Sequence, residues 1–247
     1  MDKRISMLIA VLLMLPTVMA AQHDDVGLWL EAGATKKLNK QWSLGMGAEY
    51  RLRNDLKTSD RMSLELEAGY KPVKHLELGA GYTLLMDNNR ESTSYHSDGT
   101  ANEWTPSYWG TRHRFYLEAQ GDVDLGRMNV SLRERWQYTY RSEVTGKTFD
   151  ADNNGWEAVK GKGKHLLRSK LKVEYNIPHS KIDPFASAEL FHGKGGLQKS
   201  RYLIGGNWKL SKMHAVSLYY GYQKLHGDDD DNEPNTHLIG ASYKFKF

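Results

Sequence analysis

The chain has no cysteine. Disulfide frameworks and thiolate metal sites are therefore excluded. Long apolar runs are almost as scarce. Only Ile5–Leu15 qualifies, and the mean hydropathy of −0.66 rules out a bundle of membrane helices. The position of that one run explains it. Asp2-Lys3-Arg4 precedes it and Val18-Met19-Ala20 follows it, which is the order of a secretory signal peptide cut after Ala20 or Ala21. The run is short for an anchor helix, and no cysteine follows it to carry a lipid. Residues 1–20 thus read as a signal peptide and 21–247 as one domain, with no linker or composition break inside it. Charge of one sign is also lacking. Removing Lys3, Arg4 and Asp2 with the signal takes the formal charge from +4 to +3, and no long basic block occurs, which argues against nucleic acid as a partner.

What the mature sequence does have is alternation. Trp42, Leu44, Met46, Ala48, Tyr50 and Leu52 form one face of a strand, and Ser43, Gly45, Gly47, Glu49, Arg51 and Arg53 form the other. Met62, Leu64, Leu66, Ala68 and Tyr70 oppose Arg61, Ser63, Glu65, Glu67 and Gly69; Leu76 to Met86 continues the apolar series. Phe115, Leu117 and Ala119 oppose Arg112, Arg114, Tyr116 and Glu118. Met128, Val130, Leu132, Trp136 and Tyr138 oppose Arg133, Arg135, Gln137 and Arg141, and Leu167, Leu171 and Val173 oppose Arg168, Lys170, Lys172 and Glu174. Weaker segments lie near 25–36, 183–192, 200–210, 214–225 and 237–247. Period two holds throughout, and period 3.6 does not.

A soluble barrel also alternates, with its apolar side inward. Three features favour the inverted arrangement. The segments have about the length a tilted membrane strand needs. Tyr and Trp collect at the ends of the apolar faces, as aromatic girdles do. The polar faces carry Arg and Glu at near-continuous density. Connections alternate between short ones, near 38–40, 72–74, 125–126, 177–182 and 211–212, and long polar ones at 54–60, 87–110, 142–165, 193–199 and 226–236. The expected fold is all-β: an antiparallel transmembrane β-barrel in the outer membrane, with short periplasmic turns and longer extracellular loops. Eleven segments can be counted. Bacterial barrels usually have an even number, so twelve strands is the expectation, with ten as the alternative.

Arg112-His113-Arg114-Phe115-Tyr116, Gly126-Arg127 and Ser131–Arg141 resemble a family of uncharacterised outer-membrane barrels of Bacteroidetes-type bacteria. Lys37–Lys40, Leu171–Asn176 and Glu233–His237 carry further parts of the resemblance. It spans nearly all of the mature chain and implies an outer-membrane location. It supplies no catalytic residues, because the family is a domain of unknown function.

The inward charges are the candidate site. Arg51, Arg53, Arg112, Arg114, Arg133, Arg135, Arg141, Arg168 and Lys170 are expected to face the lumen with Glu65, Glu67, Glu118 and Glu174; Arg201, Lys172, Glu49, Glu77 and Glu189 join them. Two readings follow. One is a polar channel whose arginines guide anionic or hydroxylated solutes. The other is a lumen filled by Arg–Glu pairs, which the mixture of signs favours. A narrow or partly plugged pore for small polar or anionic solutes reconciles them. No cofactor is implied. Expected partners are outer-membrane lipid and lipopolysaccharide, the solute itself, and the barrel-assembly machinery through the terminal aromatic Phe247.

Alternatives remain. The long loops suit a surface-interaction barrel. A lipid hydrolase would draw on His113, Tyr138 and Ser169, which interrupt successive apolar faces. Counting from the turn near 125 sets His113 opposite Tyr138, with Ser169 near the same height. His113 and Ser169 would then lie about 10 Å apart, beyond the reach of a nucleophile and its base, and no Gly-x-Ser-x-Gly element is present. Glu134 occupies an apolar position, for which a β-bulge turning it inward is the favoured account. Asp228–Asp231 with Glu233 lacks the ligand spacing of a calcium loop and reads as solvated.

Overall fold

The computed structural model describes residues 24–226 and 234–247. The expected signal peptide and the acidic run at 228–233 fall outside them. Fifteen strands follow in order: β1 (Asp25–Lys37), β2 (Trp42–Arg53), β3 (Thr58–Val73), β4 (Leu76–Asn89), β5 (Ser92–Tyr95), β6 (Ala101–Thr105), β7 (Tyr108–Leu125), β8 (Met128–Arg141), β9 (Val144–Asp150), β10 (Gly155–Val159), β11 (Lys162–Tyr175), β12 (Ile182–Gly193), β13 (Gly196–Lys209), β14 (His214–Leu225) and β15 (Thr236–Lys246). Eleven of these close a barrel in the order β1-β15-β14-β13-β12-β11-β8-β7-β4-β3-β2. The other four form a small sheet, β10-β9-β6-β5, built from the two longest connections.

Eleven strands replace the expected twelve. A ring of alternating up and down strands closes without a parallel contact only if the number is even. Here β1 runs parallel to β15, from Asp25↔Thr236 to Thr35↔Lys246, and every other wall pair is antiparallel. β1 therefore enters from the long-loop end. The ring leaves no open edge, so its backbone groups find partners without water, as lipid requires.

The outer surface is apolar. Leu44 is 50% exposed, Leu64 57%, Leu117 58% and Leu132 51%, so these side chains point away from the lumen and present an apolar outer surface. Ten residues of such a strand, tilted by about 40°, rise roughly 25 Å, the height of the lipid-facing band of a membrane barrel. At the aromatic ends of this surface, tyrosines bond histidines: Tyr82 to His113 at 2.8 Å, Tyr220 to His237 at 2.6 Å and Tyr243 to His214 at 2.7 Å. Pro72 sits where β3 and β4 slip register between Tyr70 and Val73, a position where its missing N–H costs no ladder bond.

The connections at 54–60 and 193–199 prove shorter than expected. Asn54, Asp55 and Leu56 adopt positive φ and turn the chain between β2 and β3, with Lys57 N–H donating to the Asn54 carbonyl at 3.1 Å. The long loops at 87–110 and 142–165 instead hold the extra sheet, joined across the loops at Glu103↔Asp150 and Trp104↔Phe149.

The parallel seam makes a direct prediction. In this cysteine-free chain, Leu30→Cys with Ala241→Cys places two thiols on register partners. Oxidation is expected to give one cross-linked species by non-reducing electrophoresis of the unfolded protein. Leu30→Cys with Tyr243→Cys, two positions out of register, is expected to cross-link poorly. Equal yields would contradict the seam.

Candidate functional site

About 4.8 Å per strand and a tilt near 40° give an eleven-stranded ring roughly 20 Å across, backbone to backbone. Long side chains from opposite walls therefore come close to one another. Glycines on the inner wall make room for some of them. A Cβ at Gly81 would clash with the Tyr116 ring, and one at Gly240 with the Tyr219 ring. The seated tyrosines reach across two strands: Tyr116 OH donates to Glu67 at 3.2 Å and Tyr219 OH to Glu31 at 3.0 Å.

A packed layer crosses the middle of the lumen. Glu189, only 2% exposed, receives Arg168 at 2.8 Å, Arg133 at 2.9 Å and Arg201 at 3.4 Å. Glu118 receives Arg135 at 2.6 Å and faces Arg133 at 3.8 Å. Aromatic faces complete the layer. Trp29 takes the guanidinium of Arg51 at 3.7 Å and of Arg201 at 4.5 Å, and Tyr116 takes Arg135 at 3.8 Å. Such contacts gain strength where water is excluded. Removing the shared carboxylate of a buried cluster like this costs about 3–5 kcal/mol, because the cations left behind lose their compensation.

Above this layer, towards the long loops, lies a chamber of about 160 Å³. Twelve of its 23 lining residues are Arg or Lys and two are acidic. Seven of its nine arginines are ion-paired: Arg168 and Arg201 with Glu189, Arg51 with Glu49 at 2.7 Å, Arg53 with Asp60 at 3.3 Å, Arg61 with Asp87, Arg112 with Asp87 at 2.9 Å, and Arg90 with Asp25. Arg114 differs. It donates to the Thr139 hydroxyl at 3.2 Å, and the like charges of Arg61, Arg168 and Arg51, together with the opposite charge of Asp87, lie within electrostatic reach. Higher still is a vestibule of about 450 Å³ between the barrel mouth and the loop sheet. Ser92, Glu103, Thr105, Thr148 and Glu157 of that sheet line it. Arg90 straps the mouth by bonding Asp25 of β1 at 3.1 Å.

The structure thus sorts the expected lumen residues by depth. Arg51, Arg53, Arg112, Arg114, Arg141 and Arg168 line the chamber. Arg133, Arg135, Glu118, Glu65, Glu67 and Lys170 lie on the strand faces at and below the packed layer; Lys170 is in register with Arg133 and Glu189, and Glu65 accepts Thr83 at 3.1 Å. Glu174 is separate, near the short turns, bonded to Lys172 at 2.7 Å and Asn207 at 2.6 Å. Arg61 and Asp87 were missing from the expected set. Arg61 was on a polar face, and Asp87 continues the inward parity of Thr83 and Leu85 into a stretch that read as loop. Arg90, beyond the strand, carried no periodic signal.

A model described as "Protein of unknown function (DUF2490)" matches residues 26–233. The chain belongs to this family. No curated protein matches it in sequence. Among solved structures, the translocator domain of the autotransporter NalP from Neisseria meningitidis is similar at a TM-score of 0.54 and 14% identity, covering 84% of this chain and 80% of that one. The β domain of the Bordetella autotransporter BrkA gives 0.49 at 17% identity over 76% and 77%, and the NanC porin gives 0.48 at 14% over 90% and 99%. The first of these supports the barrel fold alone.

Two expectations about this family member's outer face are corrected. The ladders around Glu134 run without a register shift, Ala119↔Glu134↔Ser169, so no bulge turns it inward. It stays on the lipid side and accepts the Ser169 hydroxyl at 2.7 Å. His113 pairs with Tyr140, not Tyr138, and Tyr140 pairs with Gly163. Ser169 is therefore six residues farther along its strand, about 20 Å away, and the two cannot act together on a lipid ester. Among the described residues, His75, Asp122 and Asp124 form one group with metal-ligand chemistry, their ligand atoms within 4.8 Å of one another at the short-turn end. His75 and Asn129 already bond its carboxylates.

A carboxylate facing lipid costs free energy. Glu134→Leu is expected to raise unfolding stability in lipid by about 1–2 kcal/mol, measured by urea titration in vesicles. A loss of stability would mean that Glu134 meets a protein surface.

Proposed function

We propose that this chain is an outer-membrane pore, narrow and partly plugged, that favours small anionic solutes. The chamber carries the reading: twelve basic side chains line it against two acidic ones. A low-dielectric wall focuses that charge and raises the local concentration of anions. Arg114, which bonds a hydroxyl rather than a carboxylate, separates this arrangement from a lumen merely held together by pairs. The packed layer around Glu189 then makes passage selective, since a solute must displace side chains to pass. Export by a cleaved signal peptide, contact with lipopolysaccharide at the aromatic ends, and insertion through assembly machinery that reads the exposed Phe247 belong to the same reading.

Planar-bilayer recording tests it. Small conductances with a reversal potential displaced towards the anion are expected in a potassium chloride gradient. Arg51→Glu with Arg114→Glu is expected to move the reversal potential towards the cation. The absence of any current from folded protein would reject the pore.

One observation favours a second reading, a surface-interaction barrel. Trp104, Phe149 and Trp156 share the face of the loop sheet that is turned away from the vestibule, with Trp104 and Trp156 centroids 6.0 Å apart and Trp156 56% exposed. Replacing all three by Ser would then abolish surface binding while leaving bilayer currents unchanged.

A further inference from the structure

Arg168 and Arg201 have two environments at once. They line the chamber from below, and they hold the carboxylate of Glu189 from above. Whatever anion reaches the chamber floor meets the same guanidinium groups that Glu189 already occupies. The wall beside them is less well satisfied. Arg114 has five N–H donors, and one of them is accounted for, by Thr139. Arg51 is bonded through Nη2 to Glu49, while its buried Nε–H has no acceptor. Arg51, Arg114, Arg168 and Arg201 bring four positive charges; Glu49 and Glu189 return two, leaving a surplus of two. The chamber, at about 160 Å³, has room for one compact oxyanion and part of its hydration.

We infer that the chamber floor is a binding site for a compact dianionic oxyanion group of the phosphate or sulfate type, and that Glu189 is a tethered surrogate for it. An entering dianion bonds Arg114 and Arg51 first, where donors are unspent. It then competes with Glu189 for Arg168 and Arg201. Their remaining side-chain acceptors, Gln137 at 3.2 Å from Arg168 and Gln223 at 2.8 Å from Arg201, hold the guanidinium planes in place while the exchange occurs. Guanidinium suits this exchange because its fork binds carboxylate and phosphate oxygens with the same geometry. The internal carboxylate keeps the layer closed when no solute is present and gives way to an anion of higher charge. A monoanion neutralises half of the surplus and competes poorly.

This inference rests on the reading that solute enters the chamber, but its test does not depend on current. The probes are inorganic phosphate, sulfate and acetate, titrated calorimetrically into the folded full chain in detergent at constant ionic strength. Heat-modifiable electrophoretic migration verifies folding of each variant. Saturable binding of phosphate or sulfate, with acetate weaker, is expected. Arg114→Ala, which removes no ion pair, is expected to weaken phosphate binding roughly tenfold, the loss of a charged hydrogen bond. Glu189→Gln keeps the shape and removes the competitor, so tighter binding is expected; Glu189→Asp keeps the charge and is expected to resemble the parent. Acetate binding as tightly as phosphate would overturn the dianion preference. Unchanged or weaker binding by a folded Glu189→Gln would overturn the surrogate role. No saturable phosphate or sulfate heat in the parent would overturn the site, even if bilayer currents were anion-selective; saturable binding without current would reject the pore and leave the site standing.

Discussion

In hydrocarbon, a backbone N–H or C=O without a partner costs several kcal/mol, and no water is at hand to take its place. Closure of the wall is the constraint from which the rest follows here. The parallel seam between β1 and β15 removes the last two free edges. Once the ring is closed, each strand has one side in lipid and one in the lumen, and period two assigns every side chain to one or the other. Leu44 and Leu132 go out; Arg51 and Arg133 go in.

The lumen then has to accommodate more than a dozen charges in a ring about 20 Å across. It does so unevenly. Around Glu189 and Glu118 the cations and carboxylates pair and stack on Trp29 and Tyr116, which closes the middle. Towards the loops, Asp87 offsets Arg61 and Arg112, but the carboxylates run out before the arginines do. This imbalance, not the total charge, gives the chamber its character. A formal charge of +4 over the whole chain conceals it.

Alternation was legible because it is local. The inward assignment of Arg51, Arg112, Arg135 and Arg168 needed only the parity of neighbouring residues. Strand number was not legible, because parity of the ring depends on whether Asp25 and Thr236, more than two hundred residues apart in sequence, pair in the same direction. The loop sheet was hidden for a related reason. β5, β6, β9 and β10 are four to seven residues long and find each other across the gap between Glu103 and Asp150. Glu134 was not legible, because the local rule that carboxylates avoid lipid points to a bulge, whereas the ladder keeps its register and Ser169 donates to the carboxylate instead.

By itself the sequence determined the class of fold, the two faces of each strand and the family, since each of these is written in residue types at spacing two or in linear matches. Tertiary structure decided depth: which arginines share Glu189, which remain over at the chamber, and that Ser169 lies far from His113. Depth depends on how far each strand slides against its neighbour around a closed ring, and that is set by all eleven ladders together rather than by any one segment.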